Sequence, residues 1–523
     1  MPDDTDMLDW VPQAVPWKNW HQTVSANIKG VYNVWYPAEM PPYGADTINR
    51  CTRQIQRAIA EAKQKAIPIR ALGHGWSLSE AATTTGALVD ISRLSAMKPL
   101  RPDQLDPAYA GAKDPAALWL IQGGAYISEI NRIIEGNQFG RSLPTSGAAN
   151  GQTIVGATAT GTHGSVLTSG ALHDHIVAIH LLAGPQAQFW IERASYPVLK
   201  QGLAAALGAT VIRNDALFNA VVLGLGAFGV IVNVVLETRP RMLLLARNMD
   251  RDQNGQLFVL DAAMRRVIET LDFNSHPALR SPAGFGAPYF FQPIIDPTSN
   301  PPRVIVMLMY EKPWQAGYVP DYRMAASKFG PGYDFLSVVG RLLDVFKPGV
   351  ALFAQIARAE LFTPGDKTGS WGELFGFKTP RTRVASGSVA VPLNRILNAL
   401  DVLIALNQQT GPVPLVFGVR YVRKSHALLA KNRWDPTAVI SLDGIHNQAS
   451  LRFLAAIPAA MDAQRIPFTQ HWGKTNGYTA QRVQAMFGAD YAAWIAARHQ
   501  LLPDPSDRAL FNNDYMVARG LAA

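Results

Sequence analysis

One segment, residues 142–170, constrains the fold of this chain more than any other. It reads SLPTSGAANGQTIVGATATGTHGSVLTSG, so Gly, Ala, Ser and Thr dominate it without forming a repeat. Small residues at this density let backbone N–H groups come close to phosphates or to a large flat molecule. A flexible linker is the alternative, but Ile154, Val155 and an apolar strand predicted at 175–183 frame the segment on both sides. We therefore predict a buried ligand-binding loop.

Composition and charge exclude several classes of protein. Only 17% of the 523 residues are charged, and Gly and Pro are spread along the chain, so it is neither disordered nor collagenous. The single cysteine, Cys51, excludes an internal disulfide framework and fits a reducing compartment. The net charge of +9 comes from scattered basic residues without a basic arm, so no nucleic-acid partner is predicted.

Targeting, membrane and metal signals are weak in this sequence. Residues 1–6 are acidic and no apolar core follows them, so no secretory signal is predicted and the expected location is cytoplasmic. The apolar stretch Ala216–Leu236 contains two asparagines and several glycines, so we predict a buried strand–turn–strand and no membrane span. His173 and His175 flank Asp174, but no third ligand lies nearby, so no metal site is predicted.

Hydrophobic periodicity predicts a chain of mixed helices and strands. Helices are predicted at 46–66, 127–135, 333–346, 349–360, 393–408 and 479–501. Strands are predicted at 67–72, 87–92, 117–122, 175–183, 303–310, 384–391, 415–422 and 437–442. Cys51 falls on the apolar face of the first helix, where a small buried hydrophobe is expected. Beyond residue 240, Pro and aromatic residues become frequent, which indicates a second, α+β domain.

Residues 224–229 spell Gly-Leu-Gly-Ala-Phe-Gly, the G-x-G-x-x-G pattern of nicotinamide dinucleotide sites. Such a site needs a helix after the turn and an acidic residue about 20 positions further on. Here the run Val230–Leu236 is rich in β-branched residues, which favours a strand, and Glu237 comes too early. The motif therefore does not predict nicotinamide binding.

Five motifs are informative because of their order. They are Ile-Arg-Ala-Leu-Gly-His-Gly-Trp-Ser at 69–77, Gly-Gln-Thr-Ile-Val-Gly-Ala-Thr-Ala-Thr-Gly-Thr-His-Gly at 151–164, Leu-Gly-Leu-Gly-Ala-Phe-Gly-Val-Ile at 223–231, His-Trp-Gly-Lys at 471–474 and Phe-Asn-Asn at 511–513. With this order the chain resembles the flavoproteins of the vanillyl-alcohol oxidase and p-cresol methylhydroxylase (PCMH) superfamily. It is most similar to the sugar-1,4-lactone and alditol oxidases and to the flavin-linked cholesterol oxidases.

The resemblance implies bound FAD in an α+β, two-domain fold, with a PCMH-type FAD-binding domain and an α+β substrate-binding cap domain over the flavin. The implied boundaries are 1–240 for the FAD-binding domain, 241–480 for the cap, and 481–523 for a segment that returns to the FAD-binding domain. Backbone N–H groups of 73–77 would cradle the pyrophosphate. The implied FAD contacts are Leu72, Gly73, His74, Gly75, Trp76, Ser77, Ser146, Gly147, Thr153, Gly156, Thr158, Gly161, Thr162, His163, Gly164, Gly229 and Ile231.

Attachment of FAD is a separate question. In the lactone and alditol oxidases a His bonded to the flavin stands just before the Ser, and here that position is Trp76. The cholesterol oxidases with covalent FAD resemble His-Gly-Trp followed by Ser or Thr, which matches residues 74–77. His74 therefore either carries a covalent bond to FAD or hydrogen-bonds phosphate. A second link through Cys51 is not predicted.

The resemblance also implies the reacting groups. Arg420 and Lys474 match positions near the flavin face, His471 is a candidate base or orienting group, and Asn513 would hydrogen-bond near the substrate or the pyrimidine. Such groups hold a substrate oxygen and stabilise developing negative charge. Arg420 also stands in an apolar predicted strand, where a buried charge needs a partner.

The expected function is oxidation of a CH–OH group of a small or apolar alcohol by hydride transfer to flavin N5, with oxygen as the reoxidant. Gly418 departs from the pattern, because the alditol and cholesterol oxidases have a Glu two residues before this Arg. That loss puts polyol and sterol binding in doubt, and possible apolar lining comes from Phe285, Tyr289, Phe290, Phe291 and Phe353. The alternatives are a dehydrogenase with another acceptor and a non-catalytic flavin-binding homologue.

Overall fold

Two large β-sheets organise the chain, each with helices packed on it. The computed structural model describes residues 8–35, 43–111, 114–322, 364–375, 381 and 383–523. The strands are β1 (Leu8–Pro12), β2 (Trp17–Lys18), β3 (Ser25–Ala26), β4 (Gly30–Val34), β5 (Ile69–Leu72), β6 (Ala87–Asp90), β7 (Met97–Pro99), β8 (Leu118–Gln122), β9 (Arg141–Ser142), β10 (Ile176–Leu182), β11 (Gln188–Glu192), β12 (Thr210–Arg213), β13 (Val230–Glu237), β14 (Arg239–Pro240), β15 (Leu243–Met249), β16 (Phe290–Asp296), β17 (Arg303–Lys312), β18 (Gly365–Gly369), β19 (Val384–Pro392), β20 (Leu415–Val422) and β21 (Thr437–Ile445).

The α-helices are α1 (Ala45–Gln64), α2 (Ile127–Ile134), α3 (Ile154–Ala159), α4 (Gln201–Ala206), α5 (Asp215–Val221), α6 (Ala262–Thr270), α7 (Trp371–Leu374), α8 (Ile396–Thr410), α9 (Gln448–Ala463), α10 (Ala480–Phe487), α11 (Ala489–Leu501), α12 (Pro505–Leu510) and α13 (Asp514–Val517). Short 3-10 helices cover 80–82, 102–104, 115–117, 172–175, 273–275, 277–279 and 393–395.

The N-terminal half contains a four-stranded sheet, β1-β4-β6-β5, and a six-stranded sheet, β12-β11-β10-β13-β8-β7. Helix α1 is amphipathic, and its buried face includes Ile48, Cys51, Ile55 and Ile59. Strands β8, β10 and β13 are buried on both faces and read as nearly continuous apolar runs. This core supports the turn that follows β5 and the turn that precedes β13.

The second large sheet is antiparallel and seven-stranded, in the order β18-β15-β17-β16-β20-β21-β19. Along β20, Phe417, Val419 and Tyr421 belong to an apolar core shared with helices α6, α8 and α9. Because side chains alternate along a strand, Gly418 and Arg420 lie on the opposite face. The sheet thus presents one face to its own core and the other to a cavity.

The C-terminal segment returns to the N-terminal core. Helix α11 packs on α5, and α12 packs on α1. The ring of Trp494 meets that of Phe228 edge to face at 5.0 Å, and Phe511 and Tyr515 are buried in the same core. The boundaries 1–240, 241–480 and 481–523 remain our proposal, and β15, the first strand of the second sheet, begins at Leu243.

Most sequence-predicted elements in the described residues are confirmed, with two corrections. The stretch 216–236 is a helix, a turn and a strand, because Asn214 caps α5 through its side chain. The predicted helix 479–501 is two helices, because Gly488, at φ +51°, ends α10 and begins α11. The predicted helices 333–346 and 349–360 lie outside the described residues. In the part of the chain that the structure covers, no helix is long and apolar enough to cross a membrane.

Candidate active site

A cavity of about 580 Å³ brings the glycine-rich motifs and the second sheet together. Its walls come from the turn after β5, the loop around α3, the turn before β13, strands β19, β20 and β21, and the segment before α10. Residues predicted for cofactor or substrate that line it are Leu72, Gly73, His74, Gly75, Trp76, Ser77, Gly147, Thr153, Gly156, Thr162, His163, Gly229, Ile231, Arg420, His471 and Lys474. The other predicted residues, Ser146, Thr158, Gly161, Gly164 and Asn513, do not line it.

The turn at 73–77 is oriented by the hairpin of β2 and β3. Trp20 N–H donates to the Gly75 carbonyl at 2.7 Å, and the Asn19 side-chain amide donates to the Ser77 carbonyl at 2.8 Å. A Cβ at Gly73 would lie 2.1 Å from Thr153 Oγ1. Within the described residues, the backbone N–H groups of Gly73, Gly75, Trp76 and Ser77 donate no hydrogen bond. The turn therefore offers several amides to an anionic ligand.

The segment rich in small residues, 142–170, which we call the small-residue loop, forms another wall of the cavity. Thr153 precedes the six-residue helix α3, and Gly147, Thr153, Gly156 and Thr162 line the wall. Ser146 sits behind this wall and accepts a hydrogen bond from Trp371 Nε1 at 3.0 Å. The predicted ligand loop is thus an ordered wall of the cavity, anchored from behind.

The turn at 224–229 is held by two buried arginines. Arg70 donates to the Leu225 carbonyl, and Arg498 donates to the Ala227 carbonyl at 3.1 Å. At Gly229, φ is +129° and a Cβ would lie 2.0 Å from the Leu182 carbonyl oxygen, so only glycine fits. Strand β13 follows directly, which confirms that this motif does not open a nucleotide-binding helix.

These walls fit FAD. Besides the unpaired amides of Gly73, Gly75, Trp76 and Ser77, the buried side-chain atoms Trp76 Nε1 and Gln152 Oε1 at the cavity lack hydrogen-bond partners in the described structure. Buried polar atoms are normally paired, so unpaired ones around a cavity point to a polar ligand. An extended dinucleotide with phosphates and a ring system would supply such partners.

His74 is the second residue of the turn at 73–77. Its Nδ1 lies 2.7 Å from the Tyr126 hydroxyl, and its ring lies 4.5 Å from that of Trp20, centroid to centroid. Trp76 stacks on Trp20 at 5.7 Å and fills the space beside Gly151. These contacts restrain the imidazole at the cavity wall.

Cationic side chains also line the cavity. Lys474 Nζ pairs with Asp443 Oδ1 at 2.9 Å. Arg420 Nε is buried without a hydrogen-bond partner among the described residues. Burial lowers the pKa of Arg420 and of Lys474, and the Asp443 carboxylate opposes this in both. Lys431 is behind the loop, where its ammonium donates to the Gly161 carbonyl. Cations therefore outnumber carboxylates, and the site favours an electron-rich ligand.

Two histidines face this group as neutral imidazoles. The pKa of both His163 and His471 lies well below the usual value, and burial is the largest cause. The next causes are the charge of Lys431 and then that of Arg420 for His163 or of Lys474 for His471. Gly473 N–H donates to His471 Nδ1 at 3.0 Å, which assigns the proton to Nε2. His471 is thereby a hydrogen-bond donor through Nε2 and suits an orienting role.

Asn513 and Cys51 have structural surroundings. The Asn513 amide donates to the carbonyls of Ala81 and Thr83 at 3.1 and 2.8 Å, and its Oδ1 accepts from Met516 N–H at 3.0 Å. It thus caps α13 and ties it to the turn after 73–77. Cys51 is fully buried, and burial raises the pKa of its thiol to about 11.

Sequence reasoning missed several residues of this site. Asp443 carried no motif, and it is placed by strand pairing with Ser386 and Val416. Arg70 was inside a quoted motif, yet its burial among carbonyls could not be read from the sequence. Asn19 lies far from every motif, and no sequence signal pointed to it.

Comparison with known proteins decides the cofactor. A family model described as FAD binding domain matches residues 48–187. The chain is a flavoprotein with a PCMH-type FAD-binding domain. The matched range contains the 73–77 turn and the small-residue loop, and the turn before β13 completes the cavity.

Relatives of this flavoprotein are oxidoreductases. L-gulono-1,4-lactone dehydrogenase of Mycobacterium tuberculosis is 24% identical over 471 residues, which cover 88% of this chain and 92% of the relative. D-arabinono-1,4-lactone oxidase of Debaryomyces hansenii is 22% identical over 201 residues, which cover 38% of this chain and 32% of the relative. The flavoprotein is an FAD-dependent oxidoreductase.

Solved structures share its fold over almost the full length. A solvent-stable cholesterol oxidase aligns with a TM-score of 0.68 at 16% identity, covering 98% of each chain. The cholesterol oxidase from Brevibacterium sterolicum aligns with a TM-score of 0.69 at 14% identity, covering 99% of this chain and 98% of that one. The likeness confirms the α+β, PCMH-type fold.

Proposed function

We propose that this flavoprotein oxidises the CH–OH group of a small alcohol that carries apolar bulk, with oxygen as the reoxidant. The observation that carries the proposal is the meeting of Arg420, Lys474 and His471 in one cavity with the FAD-binding turns. Bound FAD would supply a hydride acceptor at N5. The 73–77 amides, the small-residue loop and the turn before β13 would hold it.

The protein's part is to orient the substrate oxygen and balance its charge. Arg420 brings an Nε–H that has no hydrogen-bond partner among the described residues, and His471 brings an Nε2–H. The ammonium of Lys474 donates a hydrogen bond to Asp443, which fixes it at the cavity wall. Fixed donors of this kind stabilise developing negative charge without reorganising.

The apolar part of the substrate would lie against another wall. Pro414, Val416 and Ile445 line the cavity. Of the aromatic residues expected from the sequence, Phe285, Tyr289, Phe290 and Phe291 do not line the cavity. Phe290 and Phe291 are buried in cores, and Phe285 packs on Tyr310. Phe353 lies outside the described residues. An alcohol with one oxygenated end and an aliphatic remainder fits this division.

The electron acceptor has a second candidate. The Mycobacterium tuberculosis relative is named a dehydrogenase, whereas the Debaryomyces hansenii relative is named an oxidase. A dehydrogenase that passes electrons to another acceptor is therefore the alternative to reoxidation by oxygen.

An absorbance experiment tests the proposal. The purified protein is scanned in air before and after addition of lactones, polyols, sugars, and aliphatic, benzylic and sterol alcohols. We expect flavin bands that bleach with aliphatic or benzylic alcohols, with peroxide released. Bleaching without peroxide would favour the dehydrogenase. Flavin bands that dithionite bleaches and no alcohol does would contradict the proposal and favour a non-catalytic flavin-binding homologue.

A further inference from the structure

Asp443 occupies a distinctive place on the second sheet. It pairs with Val416 on β20 and with Ser386 on β19, and Val439, four residues earlier on β21, pairs with Arg420. Directly paired residues share a face, and residues an even number apart on one strand share it too. Asp443 and Arg420 therefore lie on the same, cavity-facing side of the sheet.

Asp443 is also the only carboxylate among the described residues that line the cavity. Its Oδ1 accepts from Lys474 Nζ at 2.9 Å and from the Ser386 hydroxyl. Its Oδ2 has no hydrogen-bond partner in the described structure. One oxygen is thus fixed by two donors, and the other remains available as an acceptor in the cavity.

The charges around Asp443 keep it ionised. Burial alone would raise the pKa of this carboxyl, but Lys474, Arg420 and the Ser386 hydroxyl more than offset burial and hold the pKa below its usual value. Asp443 is a carboxylate at neutral pH, so Oδ2 accepts hydrogen bonds and donates none. A hydroxyl group brought beside Arg420 would find this acceptor on the same face.

We propose that Asp443 is the catalytic residue that accepts the hydroxyl proton of the substrate, through Oδ2, while Lys474 and Ser386 position the carboxylate. This inference rests on the proposed alcohol oxidation. The O–H bond breaks, its proton moves to Oδ2, and its electron pair forms the carbonyl bond. The C–H electron pair leaves as hydride to bound FAD, so each alcohol loses two electrons and two hydrogens.

A weak base suffices for this step, because the hydroxyl proton becomes acidic as the hydride leaves. His163 is the competing acceptor, since its Nδ1 donates to the Gly164 carbonyl at 2.9 Å and leaves Nε2 unprotonated. Burial disfavours an imidazolium and favours a neutral carboxylic acid. Because Lys474 and Arg420 offset this effect at Asp443, its position on the same face of the sheet as Arg420 is what favours it as the acceptor.

The test compares Asp443→Asn with a matched control, Asp462→Asn. Asp462 also pairs with a cation, Arg482, but lies on the surface and not at the cavity. Flavin reduction is followed by stopped flow without oxygen, using an alcohol that bleaches wild type. We expect Asp443→Asn to keep its flavin spectrum and to be reduced about 10²–10⁴-fold more slowly. The control should match wild type.

Two further readouts separate proton transfer from a structural role. At pH values above the lowered pKa of Asp443, this residue should cause no pH dependence in the rate of flavin reduction by wild type. In Asp443→Asn, the rate of flavin reduction should rise with pH, because a growing fraction of the alcohol is already ionised to the alkoxide. Added formate should partly restore Asp443→Ala, since a small carboxylate can enter the vacated space beside Lys474.

The outcomes are distinct. Reduction of Asp443→Asn within threefold of wild type would overturn the role of Asp443 and leave alcohol oxidation standing. A folded but slow variant with a flat pH profile, together with an Asp443→Ala that formate does not rescue, would also overturn it. If dithionite but no alcohol reduces wild type, the proposed function fails and this inference fails with it.

Discussion

At the scale of single residues, His74 is the residue that we expect to attach FAD covalently. Its imidazole lines the cavity, and Tyr126 restrains it through Nδ1. Because a restrained ring favours bond formation, we expect the acid-precipitated wild type to stay yellow and His74→Ala to release its colour. His276→Ala, which alters a histidine packed on Phe258 away from the cavity, should keep the colour in the pellet. A colourless wild-type pellet would exclude the covalent bond.

Arg420 provides a second residue-scale prediction. Its buried Nε has no hydrogen-bond partner in the part of the chain that the structure describes, so a substrate or cofactor oxygen is the expected acceptor. Arg420→Ala should retain FAD and slow flavin reduction by about 10²–10³-fold, as loss of a fixed donor does at oxyanion sites. Arg423→Ala, which removes a surface partner of Asp435, is the control. Equal reduction rates in both variants would remove Arg420 from the reaction.

The residues that sequence reasoning found and missed differ in one respect. Arg420 and Lys474 lie in motifs and could be predicted from them. Asp443 is brought to the cavity by strand pairing, and Asn19 contacts the 73–77 turn from a hairpin that is distant in sequence. Both placements depend on contacts that only the folded chain creates. A sequence names side chains with certain chemistry, but sheet register decides which of them meet.

At the scale of elements, strands were easier to predict than breaks between helices. β19, β20 and β21 follow apolar runs closely. The single helix predicted at 479–501 is two helices in the structure, and the sequence did not reveal the break because apolar periodicity continues across Gly488. The stretch 216–236 hid a helix, because apolar residues occur in buried helices and buried strands alike. Local pattern is therefore weakest where burial is complete.

The hairpin of β2 and β3 carries an element-scale prediction. Asn19 is buried, donates to the Ser77 carbonyl, and accepts from Thr23 and Val24 N–H at 2.9 and 3.0 Å. Asn19→Ala leaves these groups unpaired, which should lower the free energy of unfolding by about 1–3 kcal/mol. The same change removes a contact that fixes the orientation of the turn at 73–77. We expect a lower FAD content, measured by the ratio of flavin to protein absorbance.

A matched change tests whether the effect is specific to the hairpin. Asn33→Ala removes only a 3.4 Å contact with Asp9 at the surface. This variant should keep a wild-type FAD content. If Asn19→Ala is also fully loaded and melts at the wild-type temperature, the hairpin does not orient the turn.

At the scale of the whole molecule, the two ends of the chain hold one turn. Arg70 reaches the carbonyls of Leu225 and Phe511, and Arg498 reaches those of Ala227 and Leu521. Both guanidiniums are buried among carbonyl oxygens, and burial lowers the pKa of each to about 10. The cavity turn before β13 is thus held by a residue 271 positions further along the chain, so the C-terminal segment packs against the N-terminal core.

Removal of Arg498 should therefore affect stability and FAD binding together. Arg498→Ala leaves several buried carbonyls without a donor, and at about 1–3 kcal/mol for each unpaired group the loss should exceed 3 kcal/mol. We expect a melting temperature lowered by several degrees and a lower FAD content. Arg482→Ala, on the neighbouring helix α10, breaks a surface pair with Asp462 and a cation–π contact with Phe468, and it should cost about 1 kcal/mol. Equal melting temperatures for the two variants would show that the C-terminal segment does not support the turn.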